Sequence, residues 1–306
     1  MKHAVSGEGN MKVRRIVAAT DFSETAELAL QRAARLASSG SAELELIHAL
    51  YLPPLAQAWQ ELVDGEGFSS ARLGLVAGER LQQAAAALQR WSGICPETRV
   101  LNGKPASELA GWARASGADL IVVGAHGEHL ILDLFVGSTA IKLLRLSSTP
   151  VLLVKKAPDF PYRRVLVATD FSATAQAAAD LAACMLPEAG LELLHAFEIP
   201  FEREMNLAGA SAGTMEHYRL LAHAEARRQM QECIGKLADP ARWSGKLRQG
   251  YPPAEIVRHA GESVADLLVV GCRRRSDIEA AMLGSVAAHL VNESPLDLLL
   301  VPAEND

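Results

Sequence analysis

Gly124 and Gly127, followed after nine residues by Gly137-Ser138-Thr139, form a run whose spacing suits the binding of a phosphate group. Glycines let the backbone approach a bulky anion without a Cβ in the way. A helix opening at Ser138 would present free N–H groups and the positive end of its dipole to phosphate oxygens. The hydroxyls of Ser138 and Thr139 add donors. A second chemical feature lies at Thr20-Asp21, where the first apolar run ends. A carboxylate there can accept hydrogen bonds from ribose hydroxyls or hold a metal bound to phosphates. The local alternative is that Asp21 caps the helix that follows.

These residues need elements to position them, and the chain supplies the elements twice. Arg15-Ile16-Val17-Ala18-Ala19-Thr20-Asp21-Phe22-Ser23 recurs from Arg164 to Ser172, at an offset of 149. Leu46-Ile47-His48-Ala49 recurs at Leu193, Ala118 to Gly124 recurs at Ala265, and Gly137-Ser138 recurs at Gly284-Ser285, all at an offset of 147. Four segments at nearly one spacing identify a duplication. The boundary falls in the proline-bearing stretch 155–161. The expected layout is a flexible tail over 1–12, one domain over 13–156 and a second over 162–303. Seven linking residues are few for a free tether.

Within the first copy, β-branched apolar runs at 15–20, 44–49, 98–102, 120–124 and 151–154 read as strands. Helical stretches at 24–38, 70–90, 105–116 and 138–146 alternate with them, Ser23 serving as N-cap of the first. Alternation of this kind means parallel strands with crossover helices on both faces. Continuous apolar strands fit a sheet buried on both sides. In the second copy, 216–237 reads as a long polar-faced helix and 199–214, rich in Gly, Ala and Met, as a mobile loop. In open parallel sheets, ligands lie beyond the carboxyl ends of the strands where the winding reverses. Thr20-Asp21 and Gly124 stand at such ends.

Composition narrows the function. The chain has 306 residues, 49% hydrophobic and 22% charged, enough for two globular cores. Net charge is −6, which provides no broad basic face for nucleic acid. The four cysteines are scattered, as expected of reduced thiols in a cytoplasmic protein. No apolar run approaches a membrane span, and the opening residues lack the core of a signal peptide. His126 and His129 have no acidic or cysteine partner at ligand spacing, so no metal site made of side chains alone is expected. His48 and His195, inside apolar strands, read as satisfied core histidines rather than ligands.

The full set Gly124-x2-Gly127-x9-Gly137-Ser138-Thr139, with Thr20-Asp21-Phe22-Ser23 and Leu46-Ile47-His48-Ala49, resembles the signature of the ATP-binding universal stress proteins. The resemblance runs from about Arg14 to Ala303 and includes the double copy of tandem members. It implies two open five-stranded parallel-sheet domains, Rossmann-like and similar to adenine nucleotide α-hydrolases, with helices on both faces. It implies ATP, with Mg2+, in the first domain. Asp21 would lie on the ribose or adenine side and Ala49 at the adenine. Gly124, Gly127, Gly137, Ser138 and Thr139 would hold ribose and phosphates, with Val123 and His126 lining the pocket. Family members pair through their last strand, which implies an internal pseudo-dimer of the two halves and allows a homodimer of chains.

The second copy departs from this signature. Asp170, Gly271, Gly284 and Ser285 keep their places, but Arg274 replaces the second glycine and Val286 the last hydroxyl. Arg274 would either intrude on a phosphate or pair with it, and Arg273-Arg274-Arg275 reads more readily as a solvated turn than as an anion trap. The sequence lacks G-x-x-x-x-G-K-[S/T], so it has no lysine for β- and γ-phosphates. The expectation is a stress-response regulator that binds ATP rather than an enzyme, leaving slow hydrolysis or phosphate transfer to Ser138 open. One alternative is a nucleotide-independent interaction protein with a relic site. Another, an ATP-cleaving α-hydrolase, is disfavoured because no glycine follows strand one.

Overall fold

The computed structural model describes residues 12–52, 70–125, 136–272 and 283–303. All but one residue of the expected tail, together with His126, Gly127, His129 and Arg273-Arg274-Arg275, lie outside the described residues. The chain divides into two compact units between Pro161 and Tyr162.

In the first unit the elements run β1 (Arg15–Ala19), α1 (Glu24–Gly40), β2 (Glu43–Leu50), α2 (Ser70–Ser92), β3 (Glu97–Asn102), α3 (Pro105–Ser116), β4 (Leu120–Gly124), α4 (Ser138–Leu146) and β5 (Val151–Val154). The strands are parallel, in the order β3-β2-β1-β4-β5. The winding reverses between β1 and β4, so their carboxyl ends flank the crevice where such sheets bind ligands. Helices α1 and α2 touch one another, as do α3 and α4, and each pair covers one face.

The local sequence explains these boundaries. Ser23 caps α1 by accepting a hydrogen bond from the Ala26 N–H at 3.2 Å. Glu24 and Glu27 lie in the first turn, where the dipole favours acids. The buried stripe Ala26, Ala29, Leu30, Ala33, Ala34 and Ala37 is nearly all alanine, which brings α1 close to the sheet. Helix α3 opens on Pro105 and closes at Gly117 in the left-handed region, the usual asymmetry of proline and glycine at helix ends.

The second unit repeats the plan with β6 (Arg164–Ala168), α5 (Ala173–Met185), β7 (Gly190–Phe197), α6 (Glu202–Leu207), α7 (Ala212–Lys236), β8 (Trp243–Gln249), α8 (Pro252–Glu262), β9 (Leu267–Cys272), α9 (Ser285–Glu293) and β10 (Asp297–Pro302). Its parallel strands follow the order β8-β7-β6-β9-β10. One expectation is corrected here. The stretch 199–214 is not a loop throughout: it contains the short helix α6, and α7 begins at Ala212 rather than near 216. The Ser211 hydroxyl caps α7 by accepting from the Thr214 N–H at 3.1 Å. No helix among the described residues is long and apolar enough to cross a membrane.

One buried carboxylate marks a difference between the copies. Glu45, 2% exposed, receives Arg15, Arg99 and the Trp112 indole. Burial pushes its carboxyl up, but the hydrogen bonds from Trp112, Arg99 and Arg15 outweigh that and hold it below the usual range. In the second unit the corresponding Glu192 bonds His259, which stands where the first copy has Trp112, and His259 accepts from Arg248.

Candidate functional site

Beyond the carboxyl ends of β1, β2 and β4 the first unit opens a cleft of about 640 Å³. That volume lies in the range of small-molecule sites. Every predicted residue of the first copy that is described lines it: Thr20 and Asp21 from the end of β1, Ala49 from β2, Val123 and Gly124 from β4, and Gly137, Ser138 and Thr139 at the start of α4. Apolar walls come from Ile47, Leu109, Val136 and Ile141. Sequence reading missed these four. Val136 precedes the glycine motif and was discoverable, whereas Leu109 of α3 reaches the cleft only through the fold.

One part of the lining is the start of α4. Its N-cap is Gly137, whose backbone is extended and which has no side chain to offer as a cap. The Gly137 N–H donates to the Ala125 carbonyl at 2.8 Å and the Gly137 carbonyl accepts from Ile141, so the helix is anchored at its first turn. The N–H groups of Ser138, Thr139 and Ala140 have no acceptor within the helix, as at any helix start. These three residues line the cleft. Ser138 and Thr139 are exposed. Among the described lining residues there is no lysine or arginine, and Asp21 and His48 are the only ionisable side chains.

Another part of the lining is Thr20 and Asp21, which open the turn Thr20-Asp21-Phe22-Ser23. The Thr20 hydroxyl accepts from the Phe22 N–H at 2.9 Å, and one Asp21 oxygen accepts from the Ser23 N–H at 3.0 Å and its hydroxyl at 2.5 Å. These bonds hold Phe22 at φ +66°, a left-handed conformation that costs a phenylalanine about 1–2 kcal/mol. Its ring stacks on His48 at 4.5 Å, and the Arg80 guanidinium covers it at 4.3 Å. His48 Nδ1 faces the Thr20 carbonyl at 2.8 Å, so that nitrogen carries the proton and donates. His48 is thus satisfied, though half-buried rather than core.

The second copy reproduces this turn closely. Thr169 accepts from Phe171 at 2.9 Å, Asp170 from Ser172 at 3.0 Å, and His195 meets the Thr169 carbonyl at 2.8 Å. Phe171 has φ +62° and its ring lies 4.2 Å from His195. Burial pushes the His195 imidazole below its ordinary value, against smaller opposing effects of the Thr169 carbonyl and Asp170. The Thr-Asp-Phe-Ser turn therefore has a structural role in both copies, with Asp buttressing the helix cap.

Gly124 is required by packing as well as by position. A Cβ there would stand 2.9 Å from the Thr25 carbonyl oxygen, 3.0 Å from its carbon and 3.1 Å from the Ala26 nitrogen, all backbone of α1. Gly271 meets the same constraint, 2.8 Å from the Thr174 oxygen. Gly284 caps α9 as Gly137 caps α4, and a Cβ on Gly284 would meet nothing within 4 Å among the described residues. Ser285 opens α9.

Comparison with known proteins follows from this geometry. The model of the universal stress protein family matches residues 12–155 and again 161–302. The universal stress protein YxiE of Bacillus subtilis (strain 168) is 30% identical over 149 residues, which are 46% of this chain and 98% of that protein. A universal stress protein of Methanocaldococcus jannaschii is 28% identical over 162 residues, 50% of this chain and 89% of its own length. Among solved structures, a universal stress protein from Archaeoglobus fulgidus DSM 4304 has a TM-score of 0.69 at 19% identity, covering 95% of this chain and 99% of that one. That last likeness is one of fold.

Proposed function

This chain belongs to the universal stress protein family and carries the domain twice, and on that premise we propose that its first domain binds ATP with Mg2+ and that occupancy of this site regulates the protein's output. Membership of the family implies a role in the stress response. The observation that carries the nucleotide reading is the start of α4, where three residues whose N–H groups lack helical acceptors line a cleft with apolar walls. Phosphates suit the first feature and a purine base the second. Asp21, in the same lining, would accept hydrogen bonds from the sugar.

The lining explains why the metal belongs in the proposal. With no lysine or arginine among the described lining residues, and none in the sequence from His126 to Phe135, the triphosphate charge is met by backbone dipoles and by Mg2+. Mg2+ would bring its own waters and bind mainly through phosphate oxygens. Asp21 and His48 are both engaged in holding the Thr-Asp-Phe-Ser turn, so neither is set to activate water. Binding, with the nucleotide as a regulatory ligand, fits this better than turnover.

A second reading, a nucleotide-independent interaction protein, is favoured by one observation. The turn below the cleft has the same geometry in the copy whose glycine motif is altered. Thermal unfolding with and without Mg-ATP separates the two. At a thousandfold excess over Kd, ATP should add about 4 kcal/mol to the domain that binds it. Gly137→Val, at a backbone of φ −59° and ψ 144° that does not require glycine, should abolish the gain, and Gly284→Val should leave it. No stabilisation of the parent chain favours the interaction protein, and loss through Gly284→Val alone moves the site to the second domain.

A further inference from the structure

The segment after β5, residues 155–161, links the two family matches, 12–155 and 161–302. It is held to the first unit in an unusual way. Pro158 is buried, while Lys156, Ala157, Asp159 and Phe160 are exposed, Phe160 to 70%. The Phe160 carbonyl accepts a hydrogen bond from Arg32 Nη1 at 2.8 Å, and the Asp159 carbonyl accepts from Arg35 Nη2 at 3.1 Å. Both arginines belong to α1. Arg32 is only 5% exposed, and the Arg35 guanidinium also lies 4.8 Å over the Trp91 ring. Two charged side chains thus hold main-chain carbonyls of a segment that makes no regular structure. Charge-assisted bonds of this kind are stronger than neutral ones.

Both ends of this attachment lead back to the cleft. The Ala125 N–H, at the cleft floor, donates to the Val154 carbonyl at 2.9 Å, and Lys155 begins the segment at the next residue. Ala26, in the first turn of α1, lines the cleft. Arg32 follows it by six residues, about 9 Å along the helix axis at 1.5 Å per residue. Between α1 and β4 there is no slack, because the α1 backbone already occupies the space that a Cβ on Gly124 would need. A displacement at the end of β4 would therefore press directly on the first turn of α1.

We propose that the segment 155–161 reads out nucleotide occupancy of the first-domain cleft. This rests on the reading that the cleft takes Mg-ATP. Phosphates drawn onto the start of α4 close the β4 end against α1, and α1 carries the change to Arg32 and Arg35. With nucleotide bound the two clamps hold the segment down. With the cleft empty they loosen, and the main chain of the segment, held through its Asp159 and Phe160 carbonyls, comes free for a protease or a partner. By linkage the coupling is reciprocal, so loosening the clamps must weaken ATP binding by the same factor.

Hydrogen exchange followed by mass spectrometry on the full chain tests this, with the ATP affinity measured on the same samples. Saturating Mg-ATP should slow exchange of the 155–160 amides about fivefold, the lower end of typical couplings. Arg32→Met, which keeps the buried stem, should raise their exchange to one level with or without ATP and weaken ATP binding by the factor lost. Arg35→Met, at a less buried position, should act in the same direction and serves if the first variant does not fold. ATP binding with unchanged exchange of the segment overturns this proposal alone. Absence of ATP binding overturns it together with the nucleotide reading.

Discussion

Replacing Gly124 with alanine separates two accounts of why glycine stands at the end of β4. If glycine were needed only to admit phosphate, the ligand-free protein would tolerate the methyl group. The backbone around it says otherwise. Ordinary van der Waals contact begins at 3.4 Å, and the new Cβ would stand 2.9 Å from the Thr25 oxygen. The first turn of α1 must therefore retreat by about 0.5 Å, the difference between those distances. At Gly271 the corresponding retreat from Thr174 is about 0.6 Å. Overpacking of this size costs about 1–3 kcal/mol, or several degrees in the melting temperature of a domain this large. Calorimetric unfolding of nucleotide-free Gly124→Ala and Gly271→Ala should show similar losses, each in its own domain. Gly284→Ala, whose Cβ meets nothing within 4 Å among the described residues, should lose less than either, no more than about 1 kcal/mol, because alanine is a poorer N-cap than glycine. An unchanged ligand-free melt for Gly124→Ala, with only ATP binding lost, refutes the packing argument.

Three further outcomes follow from the same geometry. Ser23→Ala and Ser172→Ala each remove an N-cap and should cost about 1 kcal/mol in chemical denaturation, and a neutral result at either site contradicts the cap assignment. His195 is held below its ordinary pKa chiefly by burial, so the unfolded chain takes up the proton first as the pH falls. Its contribution to stability is complete above about pH 6.5 and declines as the pH falls from there through the folded value; an NMR midpoint of 6.5 or higher for its ring would contradict this. Burial pushes the Cys272 thiol up to about 12, so alkylation of the native chain at pH 8 should modify exposed Cys95 and leave Cys272 intact, as read by peptide mass spectrometry.

Much of the fold was legible because its signals are local. Alternating apolar runs gave strands within one or two residues of those observed, and Ser23 announced the helix that follows it. Strand order was not legible from periodicity, since pairing of β1 with both β2 and β4 is a matter of long-range contact. The misreading at 199–214 came from weighing Gly, Ala and Met composition above the Ser211-x-x-Thr214 cap that was present in the sequence. At the site, the glycine motif and Asp21 were visible as types at a spacing. The left-handed Phe22, stacked between His48 and Arg80, was not, because its partners are 26 and 58 residues away. Gly124 was visible for its position, while the packing that demands it appears only once α1 is laid against β4.

The direct test of the central claim is a count of bound nucleotide. Freshly purified protein, saturated with Mg-ATP, freed of excess and then denatured, should release ATP at about one per chain by mass spectrometry. The same measurement on Gly137→Val should give close to none, and on Gly284→Val it should again give about one. ATP retained by Gly137→Val, or absent from the parent chain at millimolar Mg-ATP, would contradict the assignment of the nucleotide to the first-domain cleft.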